Sequence, residues 1–500
     1  MCGITGIVSN DPVKQLDLDR VIQMSEAMVH RGPDGAGEFH DRHVALAMCR
    51  LSIIDVAHGW QPLYNEDQSI VLIANSEIYI YVELCSTLRT RGHQFRTGSD
   101  SEVIVHLYEE HGADCVQHLR GMFAFALWNQ RSRTLLLARD RMGEKPLYLY
   151  EQKGQLTFAS ELKSLLRSGL VSFELDPVAV DLYFHYQYVP EPMTPLKGIR
   201  KLPAAHTLTV TSDPWEVREA CYWRMEDAPA LHEDPATLIR NELEAVSDIV
   251  IRSDVPVGIG LSGGIDSSAV AALASRKYPG KIHAFSVGYP GHPPCDERRE
   301  AKALAQHLNM PFHDVELHSA EMVKFFPEFV YWRDDPIADI SGYGYYAVMK
   351  LAREHQVPVI LQGQGGDELF WGYSWVQQAI EQSFRKSAAW TKWTNVAPRF
   401  LDYLNLTLPQ EWSRCAIKSW VRSLVGLRNT WEHYWRHRFS PKERLIFYDL
   451  SPNFRMACED VENIYSSRFK DSLGISRAYD CFTLRMPWPN LDILNDTFDL

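Results

Sequence analysis

The earliest residue able to do chemistry is Cys2. Removal of Met1, favoured by the small residue that follows, would leave Cys2 carrying both a thiol nucleophile and a free α-amine. Such an amine has an unperturbed pKa of about 7.7–8.0, so it can take the thiol proton directly or through water. Two Gly-rich stretches offer a different chemistry. Leu261-Ser-Gly-Gly-Ile-Asp-Ser-Ser268 joins a strand-like run to a helix-like one. Small residues there let main-chain amides close on a phosphate, and the hydroxyls of Ser262, Ser267 and Ser268 add donors. The stretch has no lysine and is not a Walker A loop. Leu361-Gln-Gly-Gln-Gly-Gly-Asp-Glu-Leu-Phe370 follows another apolar run. Taken singly, each feature has a plain alternative: a buried structural cysteine, a tight turn, a turn into an N-capped helix.

The elements that must position these residues fall into three regions. Up to about Pro203 short β-rich runs dominate, at 69–75, 134–139, 146–150 and 156–160, with a helix expected over 103–111. From His206 to Pro235 the periodicity fades and Pro, Asp, Glu and Trp collect, as in a linker. Beyond it an amphipathic helix is expected over 236–252. Strand-like runs at 255–261, 282–287 and 357–361 then alternate with helical stretches at 267–276 and 297–308, which implies a parallel α/β sheet. From Trp375 to about Phe469, Trp, Tyr, Arg and Leu recur at helical spacing and read as packed helices.

Composition narrows the function. A chain of 500 residues, 45% hydrophobic and 23% charged, is ordinary for two or three globular domains. A formal net charge of -13 opposes the basic footprint of a nucleic-acid binder, so small molecules are the expected partners. The nine cysteines are odd in number, scattered and without paired metal spacing, which suits a reducing, cytoplasmic setting. No secretory signal and no membrane-length apolar run is apparent, so no membrane partner is expected; a homodimer is left open. His433 and His437 stand four apart as zinc ligands can, but no general-base Glu or third ligand accompanies them and they read as packing. The Arg and Trp residues between 385 and 444 likewise read as structure.

The neighbours of Cys2 decide its reading. Arg31-Gly-Pro-Asp-Gly35, Arg50-Leu-Ser-Ile-Ile-Asp55, Asn75-Ser-Glu-Ile-Tyr79, Ser99-Asp-Ser-Glu102, Gly121-Met-Phe-Ala-Phe-Ala126 and Ala138-Arg-Asp-Arg-Met-Gly143 with Lys145-Pro-Leu-Tyr148 occur in fixed order. Together they resemble the class II glutamine amidotransferase domain of glutamine-hydrolysing asparagine synthetases. The Ser262 loop, preceded by Ser253-Asp-Val-Pro-Val-Gly258 and followed by Phe285-Ser-Val287, looks like the pyrophosphate loop of the same family. The resemblance implies a four-layer α/β/β/α N-terminal-nucleophile hydrolase domain of α+β type over 1–205 and a linker over 206–235. A doubly wound parallel α/β ATP-pyrophosphatase domain with a helical tail would fill 236–500. It further implies Cys2 as nucleophile, with the Asn75 amide and Ser76 N–H as oxyanion donors. Glutamine would be held by Arg50, Leu51, Ile53, Asn75, Glu77 and Asp100. ATP would lie on Leu261, Ser262, Gly263, Gly264, Asp266, Ser267, Ser268, Val287, Gln362 and Gly363, with Mg²⁺ on Asp266 and Asp367. The implied partners are glutamine, ATP and a small carboxylate acceptor, and ammonia would pass between the sites through an interior tunnel.

Some residues depart from that pattern. Ser76 stands where the family has glycine; if the backbone there needs a positive φ, serine is strained and its N–H turned from the oxyanion. Gln364 replaces an acidic residue associated with adenylate formation and with the incoming ammonia, Trp371 replaces a glycine, and Asp496 falls where a lysine is expected. The chain stops before the family's later substrate segment is complete, for which truncation of a longer protein is the plain explanation. Three readings follow: asparagine synthesis from aspartate, amide formation on another acid in a specialised biosynthesis, or a non-catalytic paralogue.

Overall fold

The computed structural model describes residues 1–229, 231–339, 341–370 and 372. The expected helical tail, Trp371, the 385–444 segment, His433, His437 and Asp496 lie outside the described residues. Along the chain the first part runs β1 (Gly3–Ser9), α1 (Gln15–Glu26), β2 (Gly35–His40), β3 (Val44–Arg50), β4 (Leu63–Tyr64), β5 (Ile70–Ile78), α2 (Tyr81–Thr90) and α3 (Glu102–His111). It continues through β6 (Gly121–Asn129), β7 (Thr134–Arg139), β8 (Tyr148–Gln152), β9 (Gln155–Ala159), α4 (Leu162–Arg167), α5 (Pro177–Tyr186), β10 (Ile199–Lys201), β11 (His206–Ser212) and β12 (Trp215–Cys221). These strands form two six-stranded sheets, ordered β10-β8-β9-β1-β3-β2 and β12-β11-β7-β6-β5-β4.

Period-two alternation explains how the sheets stack. Ile4, Val8, Leu46, Met48 and Phe158 of one sheet pack against Val71, Ile73, Ala126, Trp128 and Leu137 of the other in one buried cluster. The alternate residues face outward yet are buried too. Ile7, Ala45 and Ala47 pack with Val21 of α1. Leu72, Ala74, Phe123 and Phe125 pack with Val103, Ile104 and Leu107 of α3. Helices therefore cover both outer faces, which is the four-layer α/β/β/α arrangement the resemblance implies.

One boundary is corrected. Residues 206–221, read from their loss of period as the start of a linker, form the β11–β12 hairpin. β11 pairs antiparallel with β7 from Thr207↔Ala138 to Thr211↔Thr134. Its Leu208 and Val210 enter the inter-sheet core, whereas β12 is a largely exposed edge strand, so polar residues and a Pro in the turn are tolerated there.

The second part runs α6 (Pro235–Val250), β13 (Val257–Gly260), α7 (Ile265–Lys277), β14 (His283–Gly288), α8 (Arg298–His307), β15 (Phe312–Glu316), α9 (Ser319–Arg333), α10 (Gly342–Glu354), β16 (Val359–Leu361) and α11 (Gly366–Phe370). Its four strands are parallel, in the order β15-β14-β13-β16. Ala271 of α7 and Ala301 and Ala305 of α8 pack on one face, and Val348 and Ala352 of α10 on the other, so the sheet is doubly wound. The order reverses between β13 and β16, so the loops after those two strands flank the crevice in which such sheets bind ligands. Among the described residues no helix is long and apolar enough to cross a membrane.

Two seams join the parts. The loop after α9 meets the first sheet: Lys201 Nζ lies 2.6 Å from Asp335 Oδ2 with both side chains almost fully buried. Asp334 accepts from Lys163 N at 2.9 Å and from Leu162 N, capping α4. At the other seam Asp254 Oδ2 accepts from Asp55 N at 2.7 Å, and Asp254 N donates to Ile53 O at 3.1 Å. Removing one member of a buried ion pair strands the other charge, at a cost of about 3–5 kcal/mol, whereas replacing both can be near neutral. Lys201→Met should therefore lower the thermal and urea midpoints clearly, and adding Asp335→Leu should restore most of the loss; equal midpoints for Lys201→Met and the parent would refute this account of the seam.

Candidate functional site

The same alternation that builds the core gathers the first site. Cys2 precedes β1 in step with Ile4, Arg50 ends β3 in step with Leu46 and Met48, and Asn75 and Glu77 continue β5 in step with Val71 and Ile73. All four side chains therefore belong to the inter-sheet layer, at the end where Gly3 pairs with Cys49. Leu51 N donates to Cys2 Sγ at 3.4 Å, and the thiol donates to Leu51 O at 3.7 Å. Arg31 holds the main chain of Cys2: its Nε donates to Cys2 O at 3.1 Å while its Nη1 donates to Glu161 Oε1 at 3.1 Å. Asp34 accepts from Ser52 N at 2.7 Å, fixing the segment after Arg50. A Cβ on Gly32 would stand 2.3 Å from the Cys49 carbonyl carbon, so only glycine lets the Arg31–Asp34 segment lie this close to β3.

Arg50 is buried, and its guanidinium donates to the main-chain oxygens of Ile54, Asp55 and Val56 at 3.3, 2.7 and 3.2 Å. No carboxylate pairs with it among the described residues, and it lies 5.0 Å from the centre of the Trp60 ring. Ile53 carries the Asp254 contact instead of facing Cys2 directly through any hydrogen bond. The Asn75 side-chain nitrogen is buried with no hydrogen-bond partner among the described residues. A buried donor left unpaired is disfavoured unless something binds it.

Ser76 is not strained. It lies in regular strand opposite Phe123 and is absent from the positive-φ positions, so the expected penalty for replacing glycine does not arise. Ala74 N donates to Gln61 Oε1 and Ile78 N to Asp100 Oδ2, both away from β6. By alternation the N–H of Ser76 points to that same open edge, as an oxyanion donor must. Its added hydroxyl is 2.8 Å from that of Ser101.

Glu77 and Asp100 repel one another in a buried setting. Burial, then the charge of Asp100, raises the Glu77 carboxyl far above the usual carboxylate range, against the pull of Lys145. Burial raises Asp100 as well, opposed by the N–H groups of Ile78 and Ser101. Lys145, itself buried, was named within a sequence motif without a role; the structure makes it a cation beside Glu77 and the N-terminus. With Met1 in place, its amine donates to Arg31 O at 3.1 Å, and burial lowers that amine's pKa to about 5. Burial raises the Cys2 thiol pKa, and the neighbouring N-terminal charge and the Leu51 amide oppose the rise.

The second site is a cavity of about 1520 Å³ at the reversal of strand order. It is lined by Leu261, Ser262, Gly264, Asp266, Ser267 and Val287, and by Gln362, Gly363, Gln364 and Asp367. Gly263 and Ser268 do not line it: Gly263 N donates to Glu297 Oε2 at 2.9 Å, and Ser268 Oγ donates back to Gly264 O at 2.6 Å. The Ser262 and Ser267 hydroxyls are 2.9 Å apart. A Cβ on Gly363 would lie 2.4 Å from Ser267 N, so the β16 loop abuts the N-terminus of α7. Burial raises Asp266, and Asp367 and Glu368 add repulsion. Such a carboxylate pair beside a small-residue loop suits a hard divalent cation. Among the described residues the side-chain oxygens of Gln362 and Gln364 are buried without partners. Glu297 and Tyr345, both lining the cavity, had no sequence signal to single them out.

A family model described as a glutamine amidotransferase domain matches residues 1–223, and one described as asparagine synthase matches residues 238–468. Fold and matches together define a class: an amidotransferase domain of paired antiparallel sheets joined to a parallel-sheet asparagine synthase domain. Asparagine synthetase (glutamine-hydrolysing) 1 of Bacillus subtilis is 39% identical over 379 residues, covering 75% of this chain and 59% of that protein. A putative asparagine synthetase (glutamine-hydrolysing) 2 of Methanocaldococcus jannaschii is 34% identical over 510 residues, covering 97% and 90%. Asparagine synthetase (glutamine-hydrolysing) 3 of Arabidopsis thaliana is 33% identical over 391 residues, covering 76% and 62%. The match thus spans about three fifths of the Bacillus and Arabidopsis relatives and nine tenths of the archaeal one. The chain belongs to the glutamine-hydrolysing asparagine synthetase family.

The Glu77–Asp100 repulsion has a measurable consequence. Between the unfolded glutamate value, about 4.3, and its raised folded value, Glu77 binds more protons in the folded chain, so its ionisation lowers stability as pH rises through that window. Glu77→Gln should raise the thermal midpoint at pH 8 and leave it unchanged at pH 4, while weakening glutamine binding about ten- to hundredfold. A midpoint at pH 8 that fails to rise would refute the electrostatic account.

Proposed function

We propose that the protein makes an amide from a carboxylate, with glutamine as nitrogen donor and ATP as activator. The observation that carries the glutamine half is the complementary set around Cys2: an unpaired buried amide donor on Asn75, a buried Arg50 cation and two mutually repelling carboxylates. A free α-amino acid supplies what each lacks. Its carboxylate pairs with Arg50, its ammonium relieves Glu77 and Asp100, and its side-chain carbonyl accepts from Asn75 and Ser76 N–H.

Removal of Met1 exposes the Cys2 amine, which takes the thiol proton. The sulfur then attacks the glutamine side-chain carbonyl; a C–S bond forms, the C–N bond breaks and the nitrogen leaves as ammonia. Water cleaves the thioester to glutamate and restores the thiol. Arg31 and Leu51 position Cys2, and Leu51 and Ile53 shape the wall of the glutamine pocket.

In the second domain, ATP takes the cavity with its phosphates against the Leu261–Ser268 loop and its base near Val287. Gln362 and Gly363 form the facing wall. Asp266 and Asp367 would hold Mg²⁺, which would screen phosphate charge when bound. A carboxylate oxygen of the acceptor attacks the α-phosphorus, pyrophosphate leaves, and ammonia arriving through the interior displaces AMP from the acyl carbon. The gathered motifs, the family and six free thiols among the described residues support a cytoplasmic ligase of this kind.

A specific observation favours an acceptor other than aspartate. Gln364, at the place of an acidic residue, lines the cavity, and its buried amide oxygen has no partner among the described residues. An amide oxygen can accept hydrogen bonds but cannot take the proton that ammonium must lose.

Cys2→Ala should abolish glutamine hydrolysis and leave ammonia-dependent synthesis intact; equal glutaminase rates in mutant and parent would refute the nucleophile assignment, and Met1 retained by intact mass would refute the α-amine as its base. Pyrophosphate release measured against a panel of carboxylic acids, with glutamine or ammonia, should show aspartate as a poor acceptor that Gln364→Glu improves at least about tenfold. Robust asparagine formation unchanged by Gln364→Glu would overturn the acceptor reading, and ADP in place of AMP would overturn adenylation.

A further inference from the structure

Away from both sites, four side chains converge on the outer face of the glutaminase domain: Glu66 after β4, His93 after α2, and His106 and Glu109 on α3. One ligand atom from each lies within 4.8 Å of all the others. His106 Nδ1 is 3.1 Å from Glu109 Oε2 and 3.7 Å from Glu66 Oε1. His93 Nδ1 is 3.4 Å from the same Glu109 oxygen and 3.5 Å from the same Glu66 oxygen. A tetrahedral ion with bonds of about 2.0–2.1 Å spaces its ligand atoms about 3.3–3.4 Å apart, the middle of this range.

The surroundings match a metal centre in two further ways. Each ring's other nitrogen faces a second carboxylate: His93 Nε2 lies 3.3 Å from Glu110 Oε1, and His106 Nε2, buried and without a hydrogen-bond partner among the described residues, lies 3.8 Å from Glu102 Oε1. Histidine ligands are oriented this way in metal sites. The carboxylates are also held ready, since Asn65 Nδ2 donates to Glu109 Oε1 at 2.9 Å and Gln94 N to Glu66 at 2.8 Å. Among the described residues no Lys or Arg pairs with Glu66, Glu102 or Glu109, so the cluster carries excess negative charge.

We propose that Glu66, His93, His106 and Glu109 form a structural zinc site. Two imidazoles and two carboxylates suit Zn²⁺, whereas Mg²⁺ and Ca²⁺ take oxygen alone. The ion ties the β4–β5 turn and the segment after α2 to α3. That segment leads directly to Asp100, and Glu102 already accepts from Arg96 N and Thr97 N at 2.6 and 2.7 Å. Zinc therefore braces the strand of chain that presents one carboxylate of the glutamine pocket. No short motif announces it, because the ligands come from three separated segments, joined only by a His-x-x-Glu pair on one helix face.

The test uses the full chain, stripped with chelator and reloaded in nucleotide-free buffer with zinc or cobalt alone. The expected result is about one tightly held zinc per chain by elemental analysis, an intense visible spectrum of tetrahedral cobalt, and a higher thermal midpoint with zinc. His93→Gln and Glu109→Gln, at partly exposed positions, should each weaken zinc at least about tenfold and abolish the cobalt band, while Asp266→Asn should leave both intact. Zinc uptake absent in the parent, unchanged in His93→Gln and Glu109→Gln, or lost in Asp266→Asn would overturn the proposal.

Discussion

Burial of apolar side chains between two antiparallel sheets is the constraint on which the first site depends. Ile4, Val8, Leu46 and Met48 can meet Val71, Ile73 and Trp128 only in one register, because a shift of one residue would send every side chain to the opposite face. The same register puts Cys2, Arg50, Asn75 and Glu77 at one rim of the layer. Each is one step along a strand from inward residues that are core. The geometry of this rim is thus an extension of the packing geometry, and a slip in the one would dismantle the other.

The rim is polar at the end of an apolar layer, and its groups are held in states they would not adopt in water. Among the described residues Asn75 keeps a donor unpaired and Arg50 is surrounded by main-chain oxygens without a carboxylate, while burial and the charge of Asp100 push Glu77 toward protonation. These features lower the stability of the free protein and increase its complementarity to a zwitterion. The cavity of the second domain shows the same tension between Asp266 and Asp367, again where a cation would relieve it.

Contact between the domains is made by carboxylates as well. Asp254, just ahead of β13, receives the amide of Asp55 in the loop whose carbonyls hold Arg50. Arg252, two residues earlier, donates to Tyr79 O at 2.9 Å, close behind Glu77. The short segment before the parallel sheet therefore touches both the loop that holds Arg50 and the end of β5 beyond Glu77, a direct mechanical connection between the two halves.

Much of this was legible in the sequence. Strands and helices with clear period stand where they were expected: 134–139 is β7, and the helices expected over 103–111 and 236–252 are α3 and α6 within two residues. Cys2, the Ser262 loop and Asp367 were legible because a nucleophile at a terminus and small residues between strand and helix are local features. β1 and β3 are harder to read, since both their faces are buried and no alternation survives, and β11 was mistaken for linker because its partner β7 is far away in sequence. Tertiary structure alone decided that Ser76 sits unstrained in a strand, that Ser268 and Gly263 turn from the cavity, and that Lys145 and Glu297 belong to the sites. It also brought Glu66, His93, His106 and Glu109 together. The sequence by itself determined which chemistry each segment could offer, because residue type and local period are local properties. Which groups meet, and which charges are left without partners, follows from strand pairing and burial between distant segments, which exist only in the folded chain.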